Sequence, residues 1–268
     1  MRTHILGLAF ALISLSTAIE AADPIAATTA KGFKLHSDRS GTPIRLMSKG
    51  SDDLTAADYK LIAKIKSLES IGLNATSLKD SEWGFLHELP KLKRLSIWHA
   101  KGISSLTPFS GLQVEGLTIG GSMGLRDNHR DDVQQHRDAV LTLKDLPNLK
   151  ALSLYHTPLT PDDSHLVHIV KEFPKLEELR LDFAAPRNTD VNISPAGLSR
   201  LQSLPLKKLT IENIQPLGPK HMRAIAKIES LTTLAIDARK KPIDTALTEV
   251  VKAERPDLKI DVQIPNKK

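Results

Sequence analysis

The residues whose types and spacing come closest to a chemical site lie between 121 and 138. Asp127, His129, Asp132 and His136 cluster there, and Asp132 and His136, four residues apart, would share one face of a helix. Carboxylates and imidazoles suit a divalent transition ion. The set follows no rigid ligand spacing, however, and a solvated, charged helix accounts for it more simply, so no metal site is assigned. Catalysis finds no support either. The chain has no Gly-x-Ser-x-Gly, no His-Glu-x-x-His, no phosphate-binding loop and no cysteine nucleophile. Its Ser, His and Asp residues show no pairing. The expectation is a protein that is not an enzyme and needs no cofactor, which leaves recognition. Arg94, Trp98, Tyr155, Glu178, Arg180, Asp182 and Phe183 are the candidates, with His99 and His156 beside the two aromatics. Exposed aromatics with polar tips and arginines often anchor binding.

What makes these residues a set is a repeat. The spacing apolar-x-x-apolar-x-apolar occurs at Leu68-Ile71-Leu73, Leu92-Leu95-Ile97, Val114-Leu117-Ile119, Leu149-Leu152-Leu154, Leu176-Leu179-Leu181, Leu206-Leu209-Ile211 and Leu231-Leu234-Ile236. Leu258-x-Ile260-x-Val262 reads as a degenerate final strand. Steps between first positions are 24, 22, 35, 27, 30 and 25 residues. The pattern resembles the leucine-rich-repeat family, whose unit is a short strand plus a helix or 3₁₀ segment in about 20 to 29 residues. The resemblance covers Leu54 to Val262. It implies an α/β solenoid with a curved parallel sheet on the concave face and helices on the convex face. One departure is that Asn74 and Asn213 sit near the position of the family's asparagine ladder, whereas Ala100, His156 and Phe183 do not continue it.

The segments between strands carry helix-start chemistry followed by helical apolar spacing. Thr55 and Asp58 stand in capping-box spacing before Leu61, Ile62 and Ile65. Thr160-Pro161-Asp162-Asp163 precedes Leu166, Ile169 and Val170, with the proline suited to the first helical position. Ser194-Pro195, Gly218-Pro219 and Asp244 open three more helices, so the outer face is expected to be helical. Proline then closes several units one step before the next strand, as at Leu89-Pro90 and Phe173-Pro174.

The ends read differently. Met1 to His4 followed by the apolar run Ile5 to Leu15 has the form of a secretory signal, with cleavage expected after Ala18, Ala21 or Ala22. Ser14, Ser16, Thr17 and Glu20 interrupt it too early for a spanning helix, which needs ~20 apolar residues. Residues 1–22 are therefore read as signal peptide and the protein as exported, to a periplasm or outside the cell, with no transmembrane segment once the signal is cleaved. Residues 23–30 are read as a flexible leader and 31–53 as an N-terminal cap with a hairpin around Ser40-Gly41. The solenoid of about seven to eight repeats runs over 54–264, and 265–268 form a basic tail. With no cysteine in the chain, packing alone must hold the fold.

Side chains alternate across a strand, so the repeat predicts three lanes on the concave face. The first is Ser70, Arg94, Gly116, Ala151, Glu178, Lys208, Thr233; the second Gly72, Ser96, Thr118, Ser153, Arg180, Thr210, Ala235; the third Asn74, Trp98, Gly120, Tyr155, Asp182, Glu212, Asp237. Counting charges in these lanes predicts a mixed, slightly acidic face. The surplus behind the net charge of +6 falls on outer helices and ends, at Lys60, Lys64, Lys66, Lys220, Arg223, Lys227 and Arg239-Lys240-Lys241. A protein or peptide ligand on the concave face is the leading expectation. The alternative is a structural envelope component whose basic outer surface binds an anionic polymer or glycan. Nucleic acid is not expected, because scattered lysines give no continuous basic stripe. If the aromatics anchor a ligand, Trp98→Ala and Tyr155→Ala will each weaken binding while leaving the thermal melt nearly unchanged. A large loss of melting temperature in both variants would mark them as structural instead.

Overall fold

A computed structural model describes residues 23–48, 54–100, 102–120, 139–155, 162–182, 193–212, 217–238 and 243–263. Each copy of the apolar spacing becomes one five-residue strand. These are β3 (Ser70–Asn74), β4 (Arg94–Trp98), β5 (Gly116–Gly120), β6 (Ala151–Tyr155), β7 (Glu178–Asp182), β8 (Lys208–Glu212) and β9 (Thr233–Asp237), and the degenerate copy supplies β10 (Lys259–Gln263). Two strands precede them, β1 (Lys34–Ser37) and β2 (Pro43–Met47). All ten form one sheet in chain order, antiparallel between β1 and β2 and parallel thereafter. The architecture is mixed α/β and solenoid-like, with strands alternating with helical segments.

The apolar positions explain the sheet. Ile71 and Leu73, Leu95 and Ile97, Leu117 and Ile119, and their equivalents through Leu234 and Ile236 are each at most 2% exposed, all on the same face. They share one core with the helical residues Leu166, Ile169, Leu198, Leu201, Met222, Ile225 and Val251. Burying a Leu or Ile side chain contributes about 1.5–3 kcal/mol. No repeat can hide its own pair, so each depends on its neighbours. Toward the N-terminal end the core is aromatic: Phe33, Tyr59, Phe85, Trp83 and Phe109 follow one another with ring centroids 5.3–6.3 Å apart.

The covering segments only partly match expectation. Helices α2 (Ala56–Ile62), α4 (Pro195–Ser199), α5 (Pro219–Ala226) and α6 (Thr245–Glu254) start where their caps predict. The Asp58 carboxylate accepts from both the N–H and the hydroxyl of Thr55 at 2.8 Å. Helix α3 (Asp163–Glu172) begins two residues after Pro161, because the Asp162 carboxylate accepts from the N–H groups of Ser164 and His165 and makes Asp162 the cap. Two connections are 3₁₀ segments, Asp80–Glu88 and Thr107–Phe109, the shorter of the two forms the repeat allows. They fall in the two shortest early repeats. A 3₁₀ segment rises about 2.0 Å per residue against 1.5 Å for an α-helix, so it spans the back of a repeat with fewer residues.

The N-terminal segment corrects a second expectation. Residues 23–30, read as a flexible leader, contain helix α1 (Pro24–Ala30). Asp23 caps it through the N–H of Ile25, Pro24 occupies the first turn and Thr28 is fully buried. Lys31 at its end reaches the Asp58 carboxylate at 2.8 Å. That ion pair and the two Thr55 bonds hold the Asp58 carboxyl down at about 2. The hairpin around Ser40-Gly41 forms as expected: the Asp38 carboxylate accepts from the N–H groups of Ser40 and Thr42, and Gly41 takes φ 85°.

Polar links lock one repeat to the next from behind. Asp80 accepts from the N–H of Ser104 at 2.8 Å and from its hydroxyl at 2.5 Å, and Asp163 does the same for Ser194 at 2.8 and 2.6 Å. The Arg255 guanidinium donates to the carbonyls of Ala226, Ile228 and Leu231. Gly102 marks a close approach of backbone between repeats, since a Cβ there would sit 2.4 Å from the carbonyl oxygens of both Ser77 and Leu78. Backbone cannot swing aside as a side chain can. Gly102→Ala is therefore expected to cost on the order of 2 kcal/mol and lower the melting temperature by roughly 4–8 °C. Gly84→Ala, whose Cβ would meet nothing, is the control that leaves the melt within about a degree of the parent.

Candidate binding face

The parallel register turns the three predicted lanes into physical rows. Ser70, Arg94, Gly116, Ala151, Glu178, Lys208 and Thr233 pair in line across β3 to β9, and the second lane runs beside them. Neighbouring strands lie about 4.8 Å apart. The rows extend further than the repeat implied. Arg45 and Met47 of β2 pair with Ser70 and Gly72, and Lys259, Asp261 and Gln263 of β10 with Thr233, Ala235 and Asp237. Strand β2 lacks the repeat spacing, but the alternation in Ile44-Arg45-Leu46 was the signal for it.

Over β4 to β8 the face forms a hollow of about 280 Å³. Its floor is Gly116, Thr118, Ala151 and Ser153; Arg94 and Ser96 stand on one side, Glu178, Arg180, Lys208 and Thr210 on the other. The hollow exists because the first lane drops to Gly and Ala between two charged stretches. Arg94, Glu178 and Lys208 are exposed. The structure thus brings Arg94, Glu178 and Arg180 of the sequence candidates to one place.

In the third lane, Asp182, Glu212 and Asp237 lie side by side in register on β7, β8 and β9. Asp182 and Glu212 are 2% exposed, and the Asp237 side chain 7%. Arg180 reaches across two strands to them, donating from Nε to Glu212 Oε1 and from Nη2 to Asp237 Oδ2 at 3.3 Å. Burial pushes the Glu212 carboxyl up to about 7 even against the pull of Arg180, and the Asp182 and Asp237 charges add to the rise. This corrects the expectation of a slightly acidic face. The third-lane acids are sunk, with Glu212 and Asp237 holding Arg180, so among the described residues the exposed charges of the face are Arg45, Arg94, Lys208 and Lys259 against Glu178 and Asp261. The accessible face is basic. Asp182 belongs to the buried cluster, and Arg180 is the cation that partly offsets its charge.

A further row went unread in the sequence. The residue after the first apolar position of the first six repeats runs Glu69, Lys93, Glu115, Lys150, Glu177, Lys207, alternating in sign, and the seventh has Thr232. The N–H of each donates to the carbonyl of the one before, from Lys93 to Lys207. Lys93 meets Glu69 at 3.1 Å and Lys207 meets Glu177 at 2.6 Å. The Lys207 hydrogen bond and charge, with Lys150 nearby, hold the Glu177 carboxyl below the usual range. This rim neutralises itself.

The aromatic candidates are spread out. Trp98 is half-buried at the third-lane end of β4, with its ring 3.2 Å from where a Gly72 Cβ would stand; the Met47 thioether covers the same glycine at 2.5 Å. Its ring therefore packs along the face above Gly72. The backbone of Tyr155 ends β6 in the same lane. Phe183, His156 and the 121–138 segment with Asp127, His129, Asp132 and His136 lie outside the described residues, as do residues 1–22. Among the described residues no group of three or more His, Asp or Glu is arranged to hold a metal ion, and no helix is long and apolar enough to cross a membrane. Compared with known families and characterised proteins, the chain matches no family profile and no curated protein.

The buried cluster predicts a pH effect of defined sign. Glu212 has a folded-state carboxyl at about 7 against an ordinary 4.5, so the folded state holds a proton that the unfolded chain releases. Its contribution is full below about pH 4.5 and is lost as pH rises through 7, by on the order of 3 kcal/mol. Urea midpoints of the parent are expected to fall between pH 5 and 8 relative to Glu212→Gln, which cannot ionise. Parallel pH profiles for parent and variant would refute the assignment.

Proposed function

We propose that this protein is an exported leucine-rich-repeat binding module that receives a protein or peptide on the open face of its sheet and performs no catalysis. One observation carries the reading: a parallel sheet, of a type usually covered on both faces, buries one face across β3 to β9 while the other presents a hollow edged by exposed Arg94, Glu178 and Lys208. An uncovered, preformed face of this kind costs little ordering on binding, which favours affinity. Seven copies of the apolar spacing in register, backed by helices and 3₁₀ segments, support the leucine-rich-repeat assignment. The basic start and apolar run at residues 1–15 support export.

The rival reading, an envelope component adhering to anionic polymer through its outer surface, draws less support. Outer cations are partly spoken for: Lys66 faces Glu88 at 3.7 Å, Arg223 faces Glu254 at 3.4 Å and Lys252 faces Glu249 at 3.0 Å. Exposed pairs of this kind are worth at most about 1 kcal/mol each, but they dilute the positive field an anionic polymer would seek.

Replacing Ser153 on the floor of the hollow, and separately Lys64 on the outer side, with a photo-crosslinking residue tests the two readings in the native compartment. Capture of one discrete polypeptide from position 153, abolished when Ala151→Trp fills the hollow and reproduced with that polypeptide purified, is the expected outcome. Polymer captured from position 64 with nothing from 153 would transfer the function to the outer surface.

A further inference from the structure

The hollow carries a charge order as well as a shape. Along the first lane it reads Arg94, Gly116, Ala151, Glu178, Lys208: cation, two small residues, anion, cation. Among the described residues none pairs with the side chains of Arg94, Glu178 or Lys208. Glu178 and Lys208 are register partners on adjacent strands, yet they make no ion pair with each other. Of the neighbouring cations, Lys93 and Lys207 are held by Glu69 and Glu177 on the rim. Arg180, which also lines the hollow, is turned to Glu212 and Asp237. The charges offered to a ligand are therefore positive, negative and positive, in that order, above a floor whose hydroxyls, Thr118 and Ser153, accept or donate hydrogen bonds.

We propose that the occupant of the hollow is an extended polypeptide segment lying across the strands, with an acidic side chain against Arg94, a basic one against Glu178 and an acidic one against Lys208. The inference rests on the open-face reading above and specifies its ligand. Strand spacing sets the distances. Three steps separate Arg94 from Glu178, roughly 14 Å, and one step, roughly 5 Å, separates Glu178 from Lys208. An extended chain advances about 3.4 Å per residue, so the matching order is acid-x-x-x-base-x-acid. Its three charges fall at odd positions, and alternation places all three on the same side of the peptide. A uniform polyanion, such as an acidic glycan or an all-acidic peptide, satisfies the two cations but meets Glu178 with like charge. That exposed carboxylate acts against such ligands, and specificity often depends on a repulsive element of this kind.

Fluorescence anisotropy with labelled synthetic peptides tests the order. The probes are a peptide of the order acid-x-x-x-base-x-acid, its permutation base-x-x-x-acid-x-acid, an all-acidic version, and polygalacturonate as a competing anionic polysaccharide. The ordered peptide is expected to bind about tenfold more tightly than either of the others, with an affinity that falls as salt is added. Arg94→Glu and Lys208→Glu are each expected to weaken it by about fivefold or more. Glu178→Lys is expected to reverse the preference in favour of the all-acidic peptide. Circular dichroism of each variant excludes unfolding as the cause. Equal binding of ordered and permuted peptides, polygalacturonate displacing the ordered peptide as well as the peptide displaces itself, or no binding of the ordered peptide at about millimolar concentration would overturn the proposal. If the order fails while crosslinking at position 153 still captures a polypeptide, the open face remains the binding surface and only its charge order is wrong. If both fail, the two readings fall together.

Discussion

Parallel, in-register stacking is the constraint from which most of this molecule follows. Because no repeat can bury its own pair of inward side chains, each strand must lie directly beside the next, and β3 to β9 do so without a register shift among their paired residues. Equivalent positions then stand about 4.8 Å apart along the whole sheet. Whatever is placed at one position meets its counterparts on both sides. Like charges in successive repeats would repel at that distance, and the rim answers by alternating Glu69, Lys93, Glu115, Lys150, Glu177 and Lys207. The sign pattern is what an in-register stack requires of any charged row.

The third lane breaks that rule, and the surrounding residues show how the violation is contained. Asp182, Glu212 and Asp237 occupy equivalent positions in three successive repeats and are buried as well. Arg180 crosses two strands to bring one cation to the row, which leaves more negative charge than positive. A buried excess of this kind is relieved most cheaply by keeping a proton, and burial, with an acid on each side, displaces the middle carboxyl, Glu212, upward to about 7. Committing Arg180 inward also removes it from the exposed charge of the face. The electrostatics of the open surface thus depend on how the buried row beneath it is balanced.

The same constraint explains what could be read from the sequence. Apolar spacing repeated seven times dictates strands, their order, which side of each strand is buried and which residues share a row, and all of these appear in the structure. Depth is another matter. The alternation that assigns Asp182, Glu212 and Asp237 to the outward side says nothing of how far they sink, which depends on Arg180 reaching over from the second lane. The half-burial of Trp98 depends likewise on Gly72 leaving room beside it for the ring and for Met47. Strand β2 lies outside the repeat and is signalled only by the short alternation in Ile44-Arg45-Leu46, and helix α1 has no periodic signal. The capping chemistry of Asp23-Pro24 was nonetheless present, and the Lys31–Asp58 ion pair that ties α1 to α2 joins residues 27 positions apart, beyond the reach of a local pattern. The Glu/Lys rim is fully legible in the residues, as one position of the repeat that alternates in sign.

The floor of the hollow is the part of the face that folding does not explain. Glycine inside a strand costs about 0.5–1 kcal/mol relative to alanine, through the freedom it surrenders on folding. It is normally kept where φ is positive or where another group crowds its α-carbon. Gly102 meets the second condition against two carbonyls, and Gly72 meets it against Met47 and Trp98. Gly116 meets neither: its φ is not positive, and a Cβ there would touch only the Arg94 Cγ at 3.5 Å and the Ala151 Cβ at 4.0 Å, both ordinary contacts. Ala151 beside it is similarly small on a face with room for more. Larger β-branched residues at both positions would strengthen the strands and fill the hollow. Under the proposed binding function, a depression kept at some cost in stability, between charges of opposite sign, is space reserved for the ligand.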